Sequence, residues 1–152
     1  MTLRRRGLID LEKFTIACAE SCTGGLLMSR LTDFAGASNY VKGGVVAYTN
    51  EIKNKILRVD KETLEKFGAV SSQTALAMAK NVREIFDSTF GMSTTGVAGP
   101  DKSEGKDVGT VFIAIAGADF ADVKEFHFTG TRSEIKFQTA DEAFKILLER
   151  TH

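Results

Sequence analysis

The stretch TIACAESCTGGLLMSRL, residues 15–31, places a polar turn with two glycines between two apolar runs. The first run, Phe14–Ala19, is short and bounded by polar residues, which predicts a buried strand. The second run, Leu26–Leu31, predicts a short helix. The hydroxyl of Ser21 and the thiol of Cys22 lie close to the two glycines in the sequence. The corner is therefore either a tight turn with a helix cap, or a nucleophile that shares the corner with an anion cradle.

The remaining patterns predict four more strands and four more helices. The strands are Val41–Tyr48, Gly91–Thr95, Thr110–Gly117 and residues 121–130, the last of which should return antiparallel after a short connection. Of the helices, the first is capped by Asn50 and runs through Leu57, and the second is Lys61–Phe67, which Gly68 ends. The third is long and is capped by Ser71 or Ser72, and the last is capped by Ser133. This order predicts an α/β fold, namely a three-layer α/β/α sandwich around a mostly parallel mixed sheet of about five strands, one of them antiparallel.

Length and composition narrow the classes of function. The 152 residues fit one domain, 1–152, and the 20 basic residues balance the 20 acidic ones, so nothing favours nucleic acid as a partner. No apolar run reaches the ~18 residues that span a bilayer, and no signal peptide is seen. Cys18 and Cys22 form neither a redox nor a zinc motif, and His127 and His152 are poorly placed to join them. We expect a cytoplasmic protein with no membrane partner, metal or cofactor.

Polar clusters follow four of the predicted strands. They are Ser21, Tyr48–Lys53, Thr95–Pro100 and Thr129–Arg132. Ligands of open α/β sheets bind outside the carboxyl ends of the strands, where such loops gather. This convergence predicts a ligand site and is the main argument for one from the residues themselves.

Ser21 has two interpretations. As an N-cap it stabilises the following helix by ~1 kcal/mol, which is what most serines at helix starts do. As a nucleophile it attacks a carbonyl while the N–H groups of Cys22, Thr23 and Gly24 in the first turn hold the oxyanion.

A serine nucleophile needs a base, and neither histidine is well placed to serve as one. The segment YTNEIKNK offers Lys53 and Lys55 instead, with Tyr48 at the end of a strand. Because a free lysine has a pKa near ~10.4, burial or a neighbouring cation must lower it. The alternative is that both lysines are solvated surface charges.

The segment TTGVAGP, residues 94–100, is a second candidate cradle. Gly96 and Gly99 let backbone N–H groups curve around an anion, and Thr95 can hydrogen-bond a polar substituent. The segment lacks the Lys-Ser/Thr of a P-loop, which disfavours triphosphates. Arg132 adds a guanidinium fork suited to phosphate or carboxylate. A plain turn and a solvated arginine are the alternatives.

Six ordered blocks of the chain resemble the CinA C-terminal domain family, the nicotinamide-nucleotide amidases. The blocks are AESCTGG, GGVVAYTNEIKNKIL, FGAVSSQTALAMA, TTGVAGP, VGTVFIA and FTGTR. The resemblance runs from about Thr15 to the final helix. It implies the same three-layer fold and the hydrolysis of nicotinamide mononucleotide to nicotinic acid mononucleotide and ammonia.

The resemblance also implies roles for single residues. Ser21 matches the family's nucleophile, Lys53 its lysine base and Tyr48 the tyrosine that assists them. Thr95 and Arg132 match its substrate-binding threonine and arginine.

The chain departs from the family pattern in three places. Only Met1–Lys13 precede the first strand, where family members usually carry a full helix. Lys102, Ser103 and Asp107 stand in a loop that commonly has paired glycines and a proline, and Lys136 stands where a second arginine is usual.

Two alternatives stay open. The chain could be a nucleotide-binding module without turnover if Lys53 stays protonated, or Cys22 could be the nucleophile, because a thiol is inherently more reactive. The expected partner is a small-molecule nucleotide, and a homodimer is the expected oligomer.

Overall fold

The structure is a computed structural model that describes residues 13–151. Its strands are β1 Ile16–Glu20, β2 Val41–Val46, β3 Phe90–Gly96, β4 Thr110–Ala116 and β5 Ala121–His127. Its α-helices are α1 Leu26–Leu31, α2 Asn50–Lys55, α3 Lys61–Phe67, α4 Ser72–Phe86 and α5 Arg132–Arg150, and one 3-10 turn lies at Ala37–Asn39. The predicted order of strands and helices is confirmed.

The five strands form one sheet in the order β2-β1-β3-β4-β5. β1 pairs in parallel with β2 and with β3, whereas β4 pairs antiparallel with both β3 and β5. The predicted hairpin of the last two strands is therefore confirmed. The strand that opposes the others is β4, however, and not the last strand as the sequence suggested. Four of the five strands consequently point the same way, and β5 ends at the same sheet edge as β1, β2 and β3.

Helices cover both faces of the sheet, which confirms the three-layer sandwich. α4 packs across the strands on one face with α3 beside it, and α1 and α5 pack on the other face. Alternation along β1 divides the two cores, because Cys18 faces α1 and α5 while Ala17 and Ala19 face α4. β4 is buried on both faces, as its unbroken apolar sequence predicts.

The helix caps differ in two places from those expected. Thr131, and not Ser133, caps α5, since its side chain accepts from the N–H of Glu134 in a capping box. Thr49, and not Asn50, caps α2. In both helices a threonine one or two residues upstream already supplies the cap. Ser71, one of the two candidates, caps α4 through the N–H of Thr74.

Two strand ends shift in a way that matters for the site. β1 continues through Glu20, whose side chain is fully buried, and β2 ends at Val46, so that Tyr48 lies beyond the strand. Within residues 13–151, no helix is long and apolar enough to cross a membrane. The cytoplasmic location and the homodimer stay predictions.

Candidate active site

A pocket of about 290 Å³ lies at the carboxyl ends of β1, β2 and β3. Eight of the ten predicted site residues line it: Ser21, Cys22, Tyr48, Lys53, Thr95, Gly96, Gly99 and Arg132. The fold thus brings together segments that lie more than a hundred residues apart in the chain. Thr23 and Gly24 are the two predicted residues that do not line the pocket.

Ser21 and Lys53 meet at the bottom of this pocket. Lys53 Nζ lies 3.0 Å from Ser21 Oγ and 2.8 Å from the carbonyl oxygen of Ala47. Both side chains are buried, with 8% of Ser21 and 1% of Lys53 exposed. Lys55, the other candidate base, is exposed and does not line the pocket. Of the two lysines, Lys53, which the resemblance matched to a lysine base, is therefore the one that lies in the pocket.

Burial lowers the pKa of Lys53 below its usual value of 10.5, because desolvation penalises the ammonium form. Cys22 and Glu104 act in the opposite direction when they are negatively charged. Burial also raises the pKa of the Cys22 thiol to about 12. The thiol is therefore neutral near pH 7, and the opposing effect of Cys22 on Lys53 is absent there.

The turn after β1 holds Ser21 in place through its backbone. The N–H of Ser21 donates to the carbonyl of Thr94 at 2.9 Å, and Gly24 N–H donates to the Ser21 carbonyl at 3.1 Å. Gly24 and Gly25 then take φ values of 59° and 106°, a left-handed conformation that favours glycine. The two glycines allow the chain to turn sharply from β1 into α1.

Glu20 is a site residue that the sequence reasoning missed. Its buried carboxylate accepts from the N–H groups of Gly25, Leu27 and Met28 at 3.2, 2.8 and 3.1 Å, and from Thr23 Oγ1 at 2.6 Å. It satisfies the free donors at the start of α1. An acidic residue at the end of an otherwise apolar strand, six residues before the start of α1, was the signal that could have revealed it.

Thr23 and Gly24 occupy supporting positions. The Thr23 hydroxyl is fully buried and lies 2.7 Å from Thr94 Oγ1, turned towards Glu20. Within residues 13–151, the backbone N–H groups of Cys22 and Thr23 donate to no carbonyl or side-chain oxygen. Of these two residues only Cys22 lines the pocket, and a backbone N–H in its position beside Ser21 can stabilise an oxyanion.

Tyr48 and Arg132 lie at the mouth of the pocket. Arg132 begins α5, and its guanidinium donates to Tyr48 Oη at 2.8 Å and to the carbonyl of Gly99. Tyr48 is 58% exposed, and no described residue other than Arg132 hydrogen-bonds its hydroxyl. The catalytic role of Tyr48 and the phosphate contact of Arg132 stay predictions.

The wall opposite Ser21 is built from the end of β3 and the loop between α3 and α4. Thr95 is buried, and its hydroxyl donates to the carbonyl of Ala69 at 2.8 Å. Glu104 is a second residue that the sequence reasoning missed. Its carboxylate accepts from the N–H groups of Ala69 and Val70 at 2.9 and 3.0 Å.

Other side chains that could serve as base or metal ligand lie away from the pocket. His127 ends β5, with Nε2 3.6 Å from Glu125 on the same strand, and does not line the pocket. His152 lies outside the described residues. Among residues 13–151, no group of three or more His, Cys, Asp or Glu side chains could hold a metal ion.

The fold and site together define an α/β protein with a buried serine–lysine pair at the carboxyl edge of its sheet. Residues 5–151 match the profile of the CinA C-terminal domain, and the chain belongs to that family. It is 52% identical over 139 residues to a competence-damage inducible protein of Desulforamulus reducens, covering 91% of this chain and 34% of that protein. It is 48% identical over 135 residues to the Bacillus subtilis protein of the same name, covering 89% and 32%.

The chain spans about a third of the length of these curated relatives. Among solved structures, it is similar to the competence/damage inducible protein CihA of Agrobacterium tumefaciens, with a TM-score of 0.90 and 39% identity over 95% of this chain and 91% of that one. A CinA superfamily protein of Escherichia coli gives a TM-score of 0.89 and 31% identity over 96% and 84%. The family expected from the six sequence blocks is thus confirmed.

Proposed function

We propose that this protein is a nicotinamide-nucleotide amidohydrolase that converts nicotinamide mononucleotide and water to nicotinic acid mononucleotide and ammonia. The observation that carries the proposal is the contact of 3.0 Å between Lys53 Nζ and Ser21 Oγ, both buried. A lysine that served only as a surface charge has no reason to lie buried against a serine hydroxyl, because burial of an ammonium group is costly.

In the first half of the reaction, Ser21 attacks the carboxamide carbon. Neutral Lys53 accepts the proton of the Ser21 hydroxyl as the new C–O bond forms. The N–H of Cys22, which lines the pocket, stabilises the negative oxygen of the tetrahedral intermediate. The intermediate collapses when Lys53 returns the proton to the leaving nitrogen, so that the C–N bond breaks and ammonia departs.

In the second half, water hydrolyses the nicotinoyl ester of Ser21. Lys53 takes a proton from the attacking water and returns it to Ser21 Oγ as the ester bond breaks. Burial lowers the pKa of Lys53, which makes the neutral form that each of these proton transfers requires easier to reach.

The thiol of Cys22 is the weaker candidate for the nucleophile. Burial raises its pKa to about 12, so its thiolate form is scarce near pH 7, and the thiolate is the reactive species. The Lys53 amine instead hydrogen-bonds the Ser21 hydroxyl.

The exposed end of the pocket suits the polar part of a nucleotide. Arg132 offers a guanidinium fork, and its two present acceptors are a hydroxyl and a carbonyl rather than a carboxylate. An arriving phosphate would therefore gain a charge-assisted contact without breaking an ion pair.

The decisive assay incubates the purified protein with nicotinamide mononucleotide and measures ammonia together with nicotinic acid mononucleotide. We expect equal amounts of the two products from the parent chain and neither from Ser21→Ala. Binding of the nucleotide without either product would instead favour the non-catalytic nucleotide-binding module.

A further inference from the structure

A small hairpin at Ser103–Lys106 closes one side of the pocket. Ser103 and Lys106 exchange backbone hydrogen bonds of 3.3 and 2.8 Å, and the two residues between them, Glu104 and Gly105, have φ values of 54° and 73°. Positive φ at both central residues is the pattern of a two-residue type I′ turn. Ser103 and Glu104 both line the pocket.

Side chains of the hairpin form hydrogen bonds with the backbone of the loop between α3 and α4. The Glu104 carboxylate accepts from the N–H groups of Ala69 and Val70 at 2.9 and 3.0 Å, and Lys106 Nζ donates to the Val70 carbonyl. Thr95 Oγ1 donates to the Ala69 carbonyl at 2.8 Å. All four backbone polar groups of Ala69 and Val70 are therefore engaged.

This arrangement determines what Ala69 and Val70 present to a ligand. Each of their N–H and C=O groups already has a partner within the protein, so the backbone of this wall presents no unpaired hydrogen-bonding group to a ligand. Gly68 allows the carboxylate to come this close, since a Cβ on that residue would lie 2.5 Å from Glu104 Oε2.

The conformation of the Glu104–Gly105 turn does not require a glutamate at its first position. A left-handed conformation is disfavoured for a residue with a Cβ, and Gly, Asn or Asp suits such a turn better. A strained residue persists where its surroundings hold it, and strained residues cluster at functional sites. At Glu104 the surroundings that hold the strained conformation are the hydrogen bonds from the N–H groups of Ala69 and Val70.

We propose that Glu104 is a positioning residue, which fixes the Ala69–Val70 wall of the pocket and so shapes the subsite for an aromatic carboxamide. The inference rests on the proposed function for its kinetic consequence only. The contact itself is testable without turnover, so a failure of the amidase assay and a failure of the Glu104 assignment are distinguishable.

The contact is tested by the amide proton chemical shifts of Ala69 and Val70, measured by NMR on ¹⁵N-labelled parent protein and variants at pH 7. We expect both amide protons to keep the parent's positions in Asp107→Asn. Asp107 is a matched control because it lies in the same loop, is exposed and pairs with Lys102 at 2.8 Å. In Glu104→Ala both amide protons should move upfield because they lose their acceptor, and in Glu104→Gln the change should be smaller. Unchanged positions of both amide protons in Glu104→Ala overturn the proposal.

The positioning role is tested by kinetics on nicotinamide mononucleotide. In Glu104→Ala we expect KM to rise roughly tenfold while kcat changes less than about threefold. Glu104→Gln should be intermediate, because its amide oxygen can still accept from one N–H, and Asp107→Asn should match the parent. An upfield move of both amide protons in Glu104→Ala with an unchanged KM overturns the role, and so does an equal fall of kcat in all three variants.

Discussion

The pocket contains two pairs of the same chemical type at different depths. At the bottom, the cation Lys53 contacts the hydroxyl of Ser21 at 3.0 Å, and at the mouth, the cation Arg132 contacts the hydroxyl of Tyr48 at 2.8 Å. Lys53 is 1% exposed whereas Tyr48 is 58% exposed. Burial lowers the pKa of the inner cation, while an arginine keeps its charge at any working pH. The inner pair is therefore suited to proton transfer and the outer pair to holding an anion.

The largest effect should come from the inner hydroxyl. Ser21→Ala removes the nucleophile, and we expect kcat to fall at least ~10³-fold with ligand binding largely kept. The measurement is ammonia release together with a binding isotherm for nicotinamide mononucleotide. Cys22→Ala is the matched variant and should retain turnover. An active Ser21→Ala beside an inactive Cys22→Ala would assign the reaction to the thiol.

The outer cation should affect binding more than chemistry. Loss of a charge-assisted contact costs ~1.5–3 kcal/mol, so Arg132→Ala should raise KM roughly 10- to 150-fold while kcat changes little. Nicotinamide riboside, which lacks the phosphate, should be a correspondingly poor substrate of the parent chain. If riboside and mononucleotide react at equal rates, Arg132 does not recognise phosphate.

The inner pair also predicts a pH dependence that the outer pair does not. The active form of Lys53 is neutral, so kcat/KM should rise about tenfold per pH unit below its lowered pKa and level off above it. The unfolded chain's lysine titrates near 10.5, so between the two values the folded state binds fewer protons and stability rises with pH. A kcat/KM that falls across this range would contradict a neutral lysine base.

The smallest effect should come from the outer hydroxyl. Tyr48→Phe removes the acceptor of one Arg132 bond but leaves its bond to Gly99, so we expect KM to rise only about two- to fivefold. Parallel measurement of kcat separates this role from proton relay. A fall in kcat as large as that of Ser21→Ala would place Tyr48 in the proton transfer.

The sequence predicted which segments would meet because the order of apolar runs defines the sheet and its carboxyl edge. It misassigned the direction of β4, since a fully apolar strand carries no sign of its orientation. That direction matters for the site. β4 runs opposite to β3, and β5 runs opposite to β4. The end of β5 therefore lies at the same sheet edge as Ser21, and Arg132, which follows β5, lies at the mouth of the pocket.

Contacts made by single carboxylates were not predictable in the same way. Glu20 and Glu104 both hold backbone N–H groups, but the partners of Glu104 lie 34 or 35 residues away, and no periodic pattern relates them. Residue type alone did not distinguish Lys53 from Lys55, and only the family resemblance pointed to Lys53. The structure adds the physical difference, since Lys53 is buried and Lys55 is exposed.

The central claim is that Lys53 moves a proton and does more than supply positive charge. The most direct test measures ammonia release from nicotinamide mononucleotide by Lys53→Arg, with the exposed Lys55, two residues further along α2, changed to arginine as the control. Arginine keeps the charge but cannot give up its proton at working pH. We predict that Lys53→Arg loses at least ~10³-fold in kcat and that Lys55→Arg equals the parent. Substantial turnover by Lys53→Arg would contradict the serine–lysine mechanism.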